Sequence, residues 1–153
     1  MFHSQVRHYT EKYNKMKGSI SAKSVEHAMN LTGMSEEDIK TGLMGNSSNF
    51  RNFAFQIAKS MMPGRVSCAT YAAVVAYLAD KYGVEYKVMV GFCLPKSSPV
   101  FDREVEAFNK RKAEGVEHPV FANHVYVEIN GASYEYFNGD TANIEHIDCI
   151  VMQ

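Results

Sequence analysis

Two residues in this chain of 153 could together perform covalent acyl chemistry: Cys68, heading the apolar run "CATYAAVVAYLADKY", and His124, opening "HVYVEI". Cys68 follows a Pro63-Gly64 break, which places its sulfur at or near a helix N-terminus. Unpaired backbone N–H groups and the helix dipole favour an anion there, and so favour the reactive thiolate. Free cysteine is also among the most buried residue types, and taken alone Cys68 reads better as a small hydrophobe. His124 alters that balance. It shares a strand parity with Tyr126 and Glu128, opposite to Val125, Val127 and Ile129, so it lies on the polar face of a half-buried strand close to its start. A cysteine and a histidine so placed form the nucleophile and base of acyl transfer.

A third group must hold the imidazole and fix its tautomer. The hairpin turned by Asn130-Gly131 brings the next strand back along "HVYVEI", and Asn138 faces His124 if the loop has three residues. With a strict two-residue turn, His124 opposes Phe137 instead, so the register is open. Asp140 is the rival orienter.

The elements that would position these groups are legible in outline. Residues 1–62 are expected to be helical. Val25, Ala28, Met29 and Leu31 form an apolar stripe ended by Gly33; Ser35 and Asp38 form a capping box; and Phe50, Phe53, Ile57 and Met61 share a face with Phe55 and Ala58 adding to it. From Cys68 to Tyr82 the apolar residues occur all round, as in a central buried helix. Gly83 ends it, and Val84, Tyr86, Val88, Val90 and Phe92 alternate as a strand with a buried face. Between Pro95 and Pro119, "DREVEAFNKRKAEG" reads as a solvated surface helix with Val105, Phe108 and Ala113 inward, or as a flap over a site. "SYEYFN" and "IEHIDCIVM" supply further strands. The expected fold is α+β: one domain over 1–153, with 1–62 a helical covering region and 63–153 a Cys-bearing helix on an antiparallel sheet.

Composition narrows the partners. Sixteen basic and seventeen acidic residues without a like-charge block argue against nucleic acid and against an anionic membrane. No window approaches the roughly 18 apolar residues of a membrane span, and the opening residues are too polar for a secretory leader. A cytoplasmic location is expected. Three widely spaced cysteines without a C-x-x-C pair read as free thiols, with Cys93 and Cys149 as core. The six histidines show no four-ligand spacing, so no metal or other cofactor is expected, and His3, His8, His27 and His146 are given no role.

The order and spacing of Cys68, Tyr71, Ala72, Gly83, Val84, Lys87, Gly91 and Phe92, followed by His124, Tyr126 and Glu128 and then Tyr134 and Asn138, resemble the transglutaminase-like cysteine enzymes over residues 64–140. The resemblance implies a papain-like Cys, His and Asn/Asp triad, with Glu128 as structural support and Gln56 as a candidate oxyanion donor from the segment before the nucleophile. Asparagine stands where the family usually has aspartate, and the family's tryptophans are replaced by tyrosine, since the chain has none. The expected activity is a cysteine-dependent amide hydrolase (peptidase, isopeptidase or deamidase) working through a Cys68 thioester, on a protein, a peptide or a small amide. Transfer of the acyl group to an amine, as in a transglutaminase, and an inactive transglutaminase-like binding module are the alternatives.

Overall fold

The computed structural model describes residues 1–137 and 143–153. Within them the order is α1 (Phe2–Gly18), α2 (Ala22–Thr32), α3 (Glu36–Gly45), α4 (Ser48–Met61), α5 (Cys68–Lys81), β1 (Lys87–Pro95), α6 (Phe101–Ala113), β2 (His124–Ile129), β3 (Ala132–Tyr134) and β4 (Ile144–Val151). The sheet is antiparallel throughout, in the order β3-β2-β1-β4. The fold is α+β, with the helices first.

Helix α5 is the centre of the core. Ala69 to Ala76, Leu78 and Ala79 are all buried. Five of these ten are alanines, whose small side chains let α1, α4 and the sheet approach closely, while each buried Val or Leu contributes roughly 1.5–3 kcal/mol. Val90, Val125, Val127, Ile129 and Tyr134 meet this core from the sheet. Short polar caps set where the helices begin. Ser35 and Asp38 form the reciprocal box, and the Ser47 and Ser67 hydroxyls accept from the N–H groups of Phe50 and Thr70. Helix α1 is clamped to the far end of α5 by Lys17, whose ammonium lies 2.6 Å from Asp80 and donates to the Tyr86 hydroxyl.

Several expectations are corrected. Leu31 is 62% exposed, so the α2 stripe narrows to Val25 and Ala28, with Met29 packed beside them. Strand β1 starts at Lys87 rather than Val84, and Val90 to Cys93 are buried in succession, so one-faced alternation does not hold there. Strand β2 does not alternate either: His124, Val125, Tyr126 and Val127 are all buried. The Asn130-Gly131 loop has two residues, both at positive φ, and pairs Val127 with Tyr134 and Ile129 with Ala132. Ala113 at the end of α6 is exposed, and α6 buries no residue, as its strongly charged outer face dictates.

Candidate active site

Cys68 is the first residue of α5, immediately after the Ser67 cap. Its own N–H belongs to the first-turn donors that a helix leaves without intrahelical partners. The thiol sits in a cavity of about 390 Å³ lined by Tyr9, Lys12, Arg65, Ser67, Asn123, His124, Tyr136 and Phe137 among others. A larger cavity, about 620 Å³, lies at the opposite end of α5 beside Gly83 and the Asn130-Gly131 turn. It has no cysteine or histidine in its lining, so its size says nothing about acyl chemistry.

His124 is fully buried at the start of β2, opposite Gly91 of β1. Its Nε2 donates to Glu135 Oε1 at 2.8 Å. Nδ1 is therefore the nitrogen left for Cys68. It makes no hydrogen bond of ordinary geometry among the described residues, so its interaction with the thiol is longer or more bent than a formed hydrogen bond. Catalytic contacts in a ligand-free site commonly have this form and tighten when substrate binds.

The electrostatics favour an ion pair. Burial pushes the Cys68 thiol up, but the imidazole, the Val125 N–H and the Lys12 ammonium together bring it below the ordinary thiol value. Burial likewise depresses His124, and the interactions with Cys68 and Glu135 outweigh it, raising His124 to about 9. Glu135 is held below the usual carboxylate range by the two histidines it meets, despite burial that acts the other way. The second is His146, whose Nε2 lies 2.9 Å from the same Glu135 oxygen. Burial lowers His146, but Glu135 raises it further, so His146 also ends above its ordinary value. Thiol, imidazole, carboxylate and second imidazole thus form one line across the sheet. Phe137 packs edge-on against the His124 ring at 4.7 Å, and Tyr126 stacks along it at 5.7 Å, restricting the ring to this orientation.

The structure brings together Cys68 and His124 as the sequence anticipates, and the described residue that meets the imidazole from its other side is Glu135. With a two-residue turn the register sets His124 against Phe137, and the three-residue loop needed to bring position 138 opposite is absent. Asn138 and Asp140 lie outside the described residues. The carboxylate on Nε2 belongs to Glu135, which sequence reasoning missed. The turn itself held the signal: continuing its register past Tyr134 places position 135 opposite Tyr126, on the parity that carries His124. Gln56 is not at the site. Its amide donates to Asn52 one turn back on α4, and it does not line the Cys68 cavity. Asn123 does line it, but its amide group is engaged with Cys93, accepting from the backbone N–H and donating to the carbonyl, both at 2.9 Å. Helix α6 contributes no residue to the cavity; instead Phe101, Val105 and Phe108 flank β4 around a separate space of about 440 Å³. The flap expectation therefore does not apply to Cys68.

His146 was invisible for a different reason. β4 pairs Phe92 with Asp148 and Cys93 with His146, leaving Ile147 as the extra residue of a bulge. That insertion puts His146 opposite Cys93, where unbroken alternation would place Ile147. No group of His, Cys, Asp and Glu with the arrangement of a metal site occurs among the described residues. No helix among them is long and apolar enough to cross a membrane. Comparison with family models, curated proteins and solved structures gives no match to the chain.

Proposed function

We propose that the chain is a cysteine-dependent amide hydrolase of the transglutaminase-like type, acting through a thioester on Cys68. The observation that carries this reading is the Cys68, His124 and Glu135 line, with the cysteine at a helix N-terminus inside a cavity. The Cys68 thiolate attacks the carbonyl carbon of an amide, and the resulting oxyanion is met by the Cys68 N–H at the start of α5. The His124 imidazolium gives its Nδ1 proton to the departing amine as the C–N bond breaks, leaving a thioester and neutral imidazole. That imidazole then takes a proton from water, whose oxygen attacks the thioester; collapse expels Sγ as thiolate and restores the ion pair. Glu135 keeps Nε2 protonated and the ring aligned throughout, which an aspartate or asparagine would do elsewhere.

An acyl donor on a protein, a peptide or a small amide fits the open cavity. Three cysteines with no disulfide among them suit a reducing compartment such as the cytoplasm. Hydrolysis is placed ahead of transfer to an amine, since the chain has no tryptophan to line a path for the amine. The test is to incubate the protein with a glutamine-rich protein and a labelled primary amine, following ammonia, cleavage and amine incorporation. Ammonia or cleavage that vanishes in Cys68→Ala supports hydrolysis. Incorporation as the main product would assign amine transfer, and none of the three would remove the reading for this class of acyl donor.

A further inference from the structure

Two cysteines remain that the acyl chemistry does not use. Cys93 on β1 is fully buried, Cys149 on β4 is partly accessible, and their sulfur atoms are 3.5 Å apart. The strands that carry them are hydrogen-bonded neighbours, with Cys149 opposite Gly91 and the β4 bulge one step away. The geometry points to Cys93 and Cys149 as a covalent modification site, a dithiol that a hydroperoxide oxidises to a cross-strand disulfide, with Cys149 reacting first.

Three observations support the order of reaction. The Cys93 and Tyr126 side chains beside its sulfur, with the nearby His146 and His124, outweigh its burial and bring Cys149 down to about 7. The same contact, together with burial, pushes Cys93 up, so the pair divides into a thiolate and a neutral thiol. Access matches that division, because only Cys149 is partly open. The Cys149 thiolate attacks one oxygen of hydrogen peroxide, giving a sulfenic acid and, after protonation, water. Cys93 sulfur then attacks the sulfenic sulfur; its proton leaves with the hydroxyl as a second water, and the S–S bond forms. The net change is two thiols and one peroxide to one disulfide and two waters. Closing from 3.5 Å to a bonded length of about 2 Å requires a movement of about 1.5 Å, within reach of side-chain rotation between adjacent strands.

The oxidation uses none of the steps of acyl transfer, and it is read without any substrate. The full chain is exposed to hydrogen peroxide, free thiols are blocked with iodoacetamide, and the tryptic peptides are weighed without reduction. The expected product joins peptide 88–96, which carries Cys93, to peptide 113–153, which carries Cys149, within one chain, and is reversed by dithiothreitol. In Cys93→Ala, with no second thiol to resolve it, Cys149 should instead accumulate as the sulfinate. A sulfinate at Cys149 in the unaltered chain with Cys93 still alkylatable would overturn the inference. So would a link through peptide 66–81, a link between two chains, or no oxidation at peroxide concentrations that oxidise glutathione.

Discussion

Replacing Glu135 by glutamine keeps the shape of the side chain and removes its charge, so it isolates what the carboxylate does for the Cys68 and His124 pair. At 2.8 Å and an effective dielectric of about 20, the attraction between a carboxylate and an imidazolium is about 6 kcal/mol before desolvation is subtracted. Much of that is offset, because the carboxylate is buried and divides its charge between His124 and His146. The difference between a charge-assisted and a neutral hydrogen bond, about 1–2 kcal/mol, is the better measure of what glutamine loses. It corresponds to a factor of about ten in the proton's preference for the imidazole over the sulfur, lowering His124 from about 9 and returning Cys68 toward the neutral thiol. In Glu135→Gln, alkylation of Cys68 by iodoacetamide at about pH 6 should slow roughly tenfold, because the thiolate fraction sets the rate. The assay follows peptide 66–81 by mass after short exposures, which separates Cys68 from Cys149 in peptide 113–153. An unchanged Cys68 rate in a folded Glu135→Gln protein would refute the claim that Glu135 acts through His124.

Further outcomes follow from the same geometry. Lys12→Glu replaces a cation that lowers the Cys68 pKa, so alkylation should slow about threefold at low salt and less at high salt, because screening weakens the contribution. Gly91→Ala should abolish stable folding or cost at least about 3 kcal/mol in a urea titration, since the new Cβ would overlap the Asp148 carbonyl oxygen and lie 2.6 Å from Cys149 Cα. Glu135 is depressed below the ordinary glutamate value of 4.5, so its contribution to stability is present above that pH and lost as pH falls through its lower native value. Urea midpoints measured from neutral pH into that acid range should therefore decline, and Glu135→Gln should flatten the decline. His146→Gln removes a like charge and the second claimant on the Glu135 carboxylate, so it should raise the His124 pKa and extend the alkaline side of any pH–rate profile without removing Cys68 reactivity.

What the sequence disclosed and what it hid divide along physical lines. Local devices were legible: the Ser35 and Asp38 box, the break before Cys68 and the all-round apolar α5 depend on neighbours in the chain. The pairing of Cys68 with His124 was legible because each residue type is unusual where it stands. Glu135 was not, because its role depends on which of two loop lengths the hairpin adopts, and a shift of one residue moves every side chain to the other face. His146 was hidden more deeply, since a bulge breaks the alternation on which any inference about β4 must rely. The proximity of Cys93 to Cys149 is likewise a property of strand pairing across 56 positions.

The central claim is that Cys68 is an acylatable thiolate activated by His124, and p-nitrophenyl acetate tests it without knowledge of the natural substrate. With the full chain near neutral pH, peptide 66–81 should gain one acetyl group at Cys68 with a stoichiometric burst of nitrophenol, then lose it by hydrolysis. His124→Ala should suppress both the burst and the subsequent loss. Acetylation confined to Cys149 in peptide 113–153, or a Cys68 acetylation rate unaltered in His124→Ala, would contradict the account.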